Sequence, residues 1–164
     1  MSGGITNKED IINSFLNAYA EIEKEIANVA PELLKWKPSE AAWSITEVIT
    51  HLVDHSIVVS FRLREIVANS PVRLPAFDQD AWVSGQRANE EELAHVLAAA
   101  HALVRYNAYL ISRLDASEWT KTGINAKGEP VSIAEIIPAF VNHIERHLGQ
   151  IRRIKQEALA GEQV

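Results

Sequence analysis

The chain has no cysteine among its 164 residues. That excludes disulfides, thiolate metal ligands and a covalent cysteine nucleophile, so any thiol chemistry has to bring its thiol in on a substrate. Long apolar runs are missing as well. None approaches the roughly 18 residues that a membrane span requires, and Met1 to Asp10 is polar with no apolar signal region, so the expectation is a cytoplasmic protein without a membrane partner. Positive charge is in short supply, with 16 Lys and Arg against 22 Asp and Glu and a net charge of -6. No basic excess is available to neutralise phosphates, which argues against a nucleic-acid partner. The basic run Arg152, Arg153 and Lys155 sits beside Glu157 on a helical pattern and reads as a solvated face. Internal repeats, low-complexity tracts and composition shifts are also lacking. The expectation is one domain over residues 1–164, large enough for a real core and too short for two.

What is present is helical periodicity. The first segment, Lys8 to Ala30, carries Ile11, Phe15, Leu16, Tyr19, Ile22 and Ile26 at spacings of three and four. Thr6 or Asn7 can cap it, and Pro31 ends it. The second, Ile45 to Asn69, opens on a capping box of Ser44 and Glu47, in which hydroxyl and carboxylate satisfy orphan backbone donors reciprocally. The third runs from Glu90 to Leu114, with Asn89 and Glu92 repeating that pattern. The fourth runs from Ile133 to Ala158 behind Ser132 and Glu135. Pro138 falls inside it, so either a kink there or a start nearer Pro138 is expected. The connection from Pro71 to Ala88 holds Leu74, Phe77 and Trp82, too apolar for a flexible linker. It is expected to pack over one end of the bundle and to wall a pocket. Thr120 to Val131, with Gly123, Asn125, Gly128 and Pro130, reads as a turn or short hairpin. Four long helices without a convincing strand set predict an all-α four-helix bundle with a long connection between helices two and three.

The chemistry lies in the histidines. His143 and His147 are spaced i, i+4, which places both imidazoles on one helix face about a turn apart, near enough to share a metal ion. His51 and His55 have the same spacing on the second helix, and spacing leaves these two competing for a third position. An isolated His on an apolar face is more often a satisfied core residue than a ligand, and His95 and His101, without partners at ligand spacing, are expected to be structural or exposed. A metal needs three or four ligands. Imidazoles from facing helices can converge in a bundle, and three neutral His leave a position open, the arrangement of a catalytic rather than a closed structural site. Asp54 and Glu47 could accept from a ligand imidazole, although capping accounts for Glu47 and solvation for Asp54.

The ordered set Trp43-Ser44, His51-Leu52-Val53-Asp54, Phe61-Arg62, Asp80-Ala81-Trp82 and His143-x-x-x-His147 with Gln150-Ile151 resembles the DinB superfamily. The likeness is to its YfiT-like branch of metal-dependent hydrolases and bacillithiol S-transferases. That resemblance implies an up-up-down-down four-helix bundle and one divalent ion, nickel or zinc, with manganese and iron as further options. It places the ion on His51, His143 and His147 and moves His55 to a neighbouring role. It assigns no acid or base. It also implies a small-molecule substrate, a low-molecular-weight thiol among the candidates, and a homodimer.

Two activities follow from the resemblance. In one, a thiol acidified by the cation is transferred to an electrophile. In the other, water acidified in the same way hydrolyses a substrate. Arg62, Arg64 and Arg87 are candidates for recognising a polar thiol, each with surface ion pairing as its simpler role. The rival from another class is a non-enzymatic metal-binding or interaction module, because fold does not fix function. A site sealed by Phe77 or Trp82 would favour that rival, and an open cleft would favour the enzyme.

Overall fold

The computed structural model describes residues 7–162. Thr6, one of the two candidate caps, lies outside the described residues. Asn7 caps the first helix, its side chain accepting from the Glu9 amide. The expected first helix is two pieces, α1 (Lys8–Leu16) and α2 (Ala20–Ile26). The break falls at Asn17, whose backbone N–H and side-chain Nδ2 both donate to the Asn13 carbonyl, at 3.0 and 2.8 Å. Just beyond it the ladder tightens to i→i−3 bonds, from the Ala18 N–H to the Phe15 carbonyl at 3.3 Å and from the Ala20 N–H to the Asn17 carbonyl at 3.0 Å. The apolar period runs on unbroken through the gap, which is why periodicity missed it.

After α3 (Pro31–Lys35) comes α4 (Ile45–Val67), with the Ser44–Glu47 capping box formed in both directions. The long connection holds α5 (Gln79–Gly85) and a 3-10 turn, Ala88–Glu90, both packed on α4. The next long helix, α6, spans Leu93–Arg113. Its expected box does not form: Glu92 is the cap residue and makes no side-chain capping bond. Asn89 is instead spent on tertiary contacts, accepting from Ser44 Oγ at 2.6 Å and donating to the Lys35 carbonyl at 3.1 Å.

A short α7 (Ala116–Trp119) leads into an antiparallel hairpin, β1 (Thr122–Ile124) and β2 (Pro130–Ser132), in which Gly123 faces Val131. A Cβ on Gly123 would lie 3.0 Å from side-chain atoms of both Ile66 and Leu74, so a larger residue there would need those side chains to give way by a few tenths of an ångström. The last helix, α8 (Ile133–Gly161), starts at its Ser132–Glu135 capping box and runs through Pro138, so the alternative start near Pro138 is overturned. Pro138 is the sixth residue of this helix, past its first turn, so the bond its amide would have made to the Ala134 carbonyl is lost and the helix continues beyond that gap.

Contacts between the long helices fix their directions. Lys8 Nζ reaches the Ser112 carbonyl and His101 approaches Glu23, so α1–α2 runs antiparallel to α6. Ser44 meets Asn89 while Arg64 meets Asn107, so α4 and α6 are parallel. His55 stacks on Phe140 and His51 lies by His147, so α4 and α8 are antiparallel. Phe15 packs on Phe140 and Arg152 on Glu25, so α1–α2 and α8 are parallel. The order is therefore up-down-down-up, which corrects the up-up-down-down arrangement implied by resemblance. A parallel α4–α6 pair requires the chain to return the full length of the bundle between them, and that is the work of residues 68–92. The first helix and α4 lie diagonally, and Tyr19 Oη spans the centre to Ser56 Oγ at 2.9 Å. The core runs the length of the bundle, with Phe15, Ile22, Ile49, Leu52, Leu63, Ile111, Ile137 and Ile151 all fully buried.

Candidate metal centre

The site forms where α4 faces α8. Because α4 is covered on one flank by α5, on another by α6 and on its inner face by α8, the stretch Ile45–Asp54 is buried all round, and His51 is only 1% exposed. His143 and His147, one turn apart on α8, are half-buried opposite it. The three rings meet edge-on: interplanar angles are 74° for His51 with His143, 65° for His51 with His147 and 80° for His143 with His147. The Nε2 atoms converge, His143 to His51 at 3.4 Å and His143 to His147 at 3.2 Å. All three donors lie within 4.8 Å of one another.

This arrangement suits a cation better than a proton. His143 Nε2 faces two other Nε2 atoms, and one hydrogen shared at that centre can satisfy only one of the two contacts. Two nitrogens on a tetrahedral ion with bonds of 2.0–2.1 Å stand roughly 3.3–3.4 Å apart, close to the spacing found. The His147 tautomer is set for this role, because its Nδ1 donates to Gln150 Oε1 at 2.8 Å and leaves the Nε2 lone pair turned inward. Nδ1 of His51 and of His143 is buried without a hydrogen-bond partner. An all-imidazole donor set suits zinc, nickel, copper or iron and fits oxygen-seeking magnesium or calcium poorly.

Burial pushes the imidazoles towards the neutral, ligating form. It lowers His51 and His55 to about 4 and His143 to about 3, and it lowers His147 too, against an opposing pull from Gln150. In the unfolded chain these groups titrate near 6.5. As pH falls below 6.5 the unfolded chain of the metal-free protein takes up protons that the folded state refuses, so stability declines from there down to about 4. Burial also raises Asp54, which acts in the opposite sense near the lower end of that window. The urea midpoint of metal-free protein is therefore expected to be clearly lower at pH 5 than at pH 7.5. An unchanged midpoint would contradict neutral burial of the cluster.

His55 lies beside the cluster. Its ring is 4.1 Å from that of His143 and stacked on Phe140 at 5.9 Å, but its donors fall outside the converging group. Asp54 does not act as an acceptor for a cluster imidazole; it takes a hydrogen bond from Gln86 Nε2 at 2.7 Å and so ties the end of α5 to α4. Glu47 is used in capping and sits 3.4 Å from Lys37 Nζ. His95 and His101 are on the surface, paired with Glu91 and Glu23.

Aromatic rings enclose one side of the cluster. Trp43 lies 5.0 Å from the His51 ring, Phe77 stacks on it at 6.2 Å, and Trp82 backs Phe77 at 4.9 Å. On the other side His143, alone of the three, borders open space. A cavity of about 490 Å³ runs between α4, α8 and the hairpin, and His55 and His143 form part of its wall. Its size is that of a small-molecule site. The Pro71 to Ala88 connection thus packs on the bundle and walls the site, as its aromatic content led one to expect, without sealing it.

Of the three arginines singled out in the sequence, only Arg62 reaches this cavity. Arg64 is held by the Ser60 carbonyl, by Asn107 Oδ1 and over the Tyr106 ring. Arg87 stands in the left-handed region at φ 53° beside Glu90. Arg146, also on the wall, went unnoticed in the sequence, although its place three residues after His143 puts it on the same face of α8.

Comparison with known proteins agrees with this architecture. The uncharacterized protein YuaE of Bacillus subtilis (strain 168) is 26% identical over 157 residues, covering 87% of this chain and 96% of its own. The structure of YfiT from Bacillus subtilis, described as a probable metal-dependent hydrolase with an unusual four-helix bundle topology, superposes with a TM-score of 0.85 at 15% identity over 96% of this chain and 90% of that one. The mycothiol-dependent maleylpyruvate isomerase superposes with a TM-score of 0.69 at 12% identity over 95% of this chain and 69% of that one. At such identities the two structures speak for the fold alone. The sequence model of the DinB superfamily matches residues 14–151, and the chain belongs to that superfamily.

Proposed function

We propose that the protein is a metal-dependent enzyme in which His51, His143 and His147 ligate one divalent ion, nickel or zinc by preference, and that it transfers a low-molecular-weight thiol to an electrophile. The observation that carries the reading is the open cavity against a convergent cluster of three neutral imidazoles. A purely structural metal site has no use for an adjoining cavity of substrate size.

Bound there, a divalent cation supplies Lewis acidity that lowers the pKa of a thiol or water at its open positions. The chain's own residues do the rest. Gln150 holds the His147 tautomer, Trp43, Phe77 and Trp82 keep water from one side, and the cavity admits the electrophile from the other. In the transfer, a sulfur–carbon bond forms, the bond from that carbon to its leaving group breaks, and the thiol proton passes to solvent. The absence of cysteine is consistent with a nucleophile delivered by the cosubstrate.

Hydrolysis is the second reading. It is favoured by the likeness to YfiT, described as a probable metal-dependent hydrolase, and it uses the same centre with water in place of the thiol.

One experiment separates the two. Metal-loaded protein is incubated with a panel of thiols and a halogenated nitroarene, and conjugate formation is followed by absorbance. Transfer predicts conjugation above background with at least one thiol, abolished by chelation and by His143→Ala. Fully loaded protein that leaves every thiol at the background rate overturns transfer. Ester or amide cleavage by the same samples without thiol would then support hydrolysis.

A further inference from the structure

The cavity beside the cluster has an apolar floor and an unbalanced charge at its wall. Val59, Leu74, Val131, Ile136 and Phe140 supply apolar surface between α4, α8 and the hairpin. Arg62 and Arg146 flank it from α4 and α8, and neither makes an ion pair with a carboxylate among the described residues. Arg62 is half-buried and aimed by its backbone acceptor: Nε and Nη2 donate to the Pro75 carbonyl at 3.3 and 2.7 Å, which leaves further donors of the planar fork unused. A guanidinium taken partly out of water with only a neutral carbonyl as partner is costly unless something anionic joins it.

The two carboxylates on the wall do not supply that partner. Glu135 is engaged with the Ser132 amide at 2.8 Å as part of the α8 cap, and Glu129 lies against Asn125 Nδ2 within its own turn. Lys127, on the same hairpin, adds a third positive charge at the wall. The chain as a whole is acidic, at -6, so a wall lined by two arginines and a lysine runs against its average composition.

We infer that Arg62 and Arg146 form an anion-recognition pair, and that the substrate of this cavity is an amphiphilic organic anion: an apolar body on the Phe140 floor with a carboxylate or like acid group between the two guanidinium groups. This rests on the proposed catalytic reading for its purpose, but not for its test. Arginine is suited to the task because its fork matches a planar carboxylate and its charge is permanent.

The test is binding of 2-naphthoate against its shape-matched neutral counterpart 2-naphthylmethanol, by calorimetry on metal-free full-length protein at low and high salt. Without metal, a carboxylate has no cation to ligate, so the arginines are read alone. Wild type is expected to bind 2-naphthoate at least ten-fold more tightly than the alcohol at low salt, with the difference shrinking as salt is added. Arg62→Gln with Arg146→Gln should remove that preference while leaving alcohol binding unchanged. Arg62→Lys, which keeps the charge, should retain part of it. Arg146→Gln alone, at an exposed residue that makes no side-chain hydrogen bond among the described residues, guards against loss of fold and should weaken naphthoate several-fold. Ala139→Phe, which fills the cavity from its wall, should block both ligands.

Equal affinity for acid and alcohol in wild type, no binding of naphthoate, or an acid affinity indifferent to both arginine substitutions would each overturn the pair. Metal content of the same variants is measured in parallel and should be unchanged. A failure of the three-histidine reading would show there, as metal-free wild type after loading, and a failure of the arginine pair would show only in the naphthoate titration.

Discussion

Wild type offered excess zinc or nickel is expected to take up one ion per chain, and His143→Ala treated alike is expected to retain almost none. His143 is the centre of the cluster: its Nε2 is the atom that faces both of the others, at 3.4 and 3.2 Å. Removing it would leave only His51 and His147, on facing helices, to hold an ion. Loss of a partner that merely orients a ligand costs about 10–100-fold in affinity, so loss of the ligand itself should cost at least about 100-fold. His55→Ala is the informative control. His55 touches the His143 ring, so a general loosening of the helix interface would release metal from both variants alike. Full metal in His55→Ala with none in His143→Ala is the expected pattern. Equal content in His143→Ala and wild type would sink the site as assigned.

The helices themselves were legible because their signals are local. A stripe at spacing three and four announces the buried face, and Ser44 with Glu47 and Ser132 with Glu135 satisfy one another within a single turn. Where a residue's partner is distant in sequence, the same signal fails. Asn89 and Glu92 have the spacing of a capping box, but Ser44 and Lys35 claim Asn89 across the fold. Direction is not local at all. Periodicity tells which face of a helix is buried and nothing about which way it runs, so the up-down-down-up order emerged only from cross-helix pairs such as Lys8 with Ser112 and Arg64 with Asn107.

The site divides in the same way. His143 and His147 announce themselves by spacing on one helix. His51 and His55 have that spacing too, and the choice between them depends on which ring an opposing helix meets. The family resemblance named His51, and in the structure the Nε2 of His51, not a donor of His55, joins the converging group. The hairpin wall was out of reach, because a cavity belongs to no single segment, whereas the spacing of Arg146 after His143 gave its helix face but not its place on a cavity. It arises where α4, α8 and β1–β2 fail to fill the space between them.

Phe140→Ala should be the most damaging single change in the core near this site. Phe140 is 1% exposed, packs on Phe15 at 4.9 Å and stacks under His55 at 5.9 Å. It therefore joins the first helix to α8 and supports the cluster from below. Truncating a buried phenylalanine costs about 3–5 kcal/mol, the transfer free energy of the ring plus that of the hole left behind. For a chain of this size the melting temperature should fall by roughly 6–20 °C, at about 2–4 °C for each kcal/mol. Because the ring also floors the cavity, its loss should not be confined to stability. Where the variant remains folded, His55 has lost its stacking partner and the cavity has gained the volume of a phenyl group. Phe140→Leu keeps most of the apolar volume and removes the flat face, so it separates the two roles. It should recover most of the lost melting temperature while leaving altered affinity for any aromatic ligand of the cavity. A fall of under about 2 °C for the alanine variant, by calorimetry at matched metal loading, would mean that Phe140 does not carry the junction between α1, α8 and the histidine cluster.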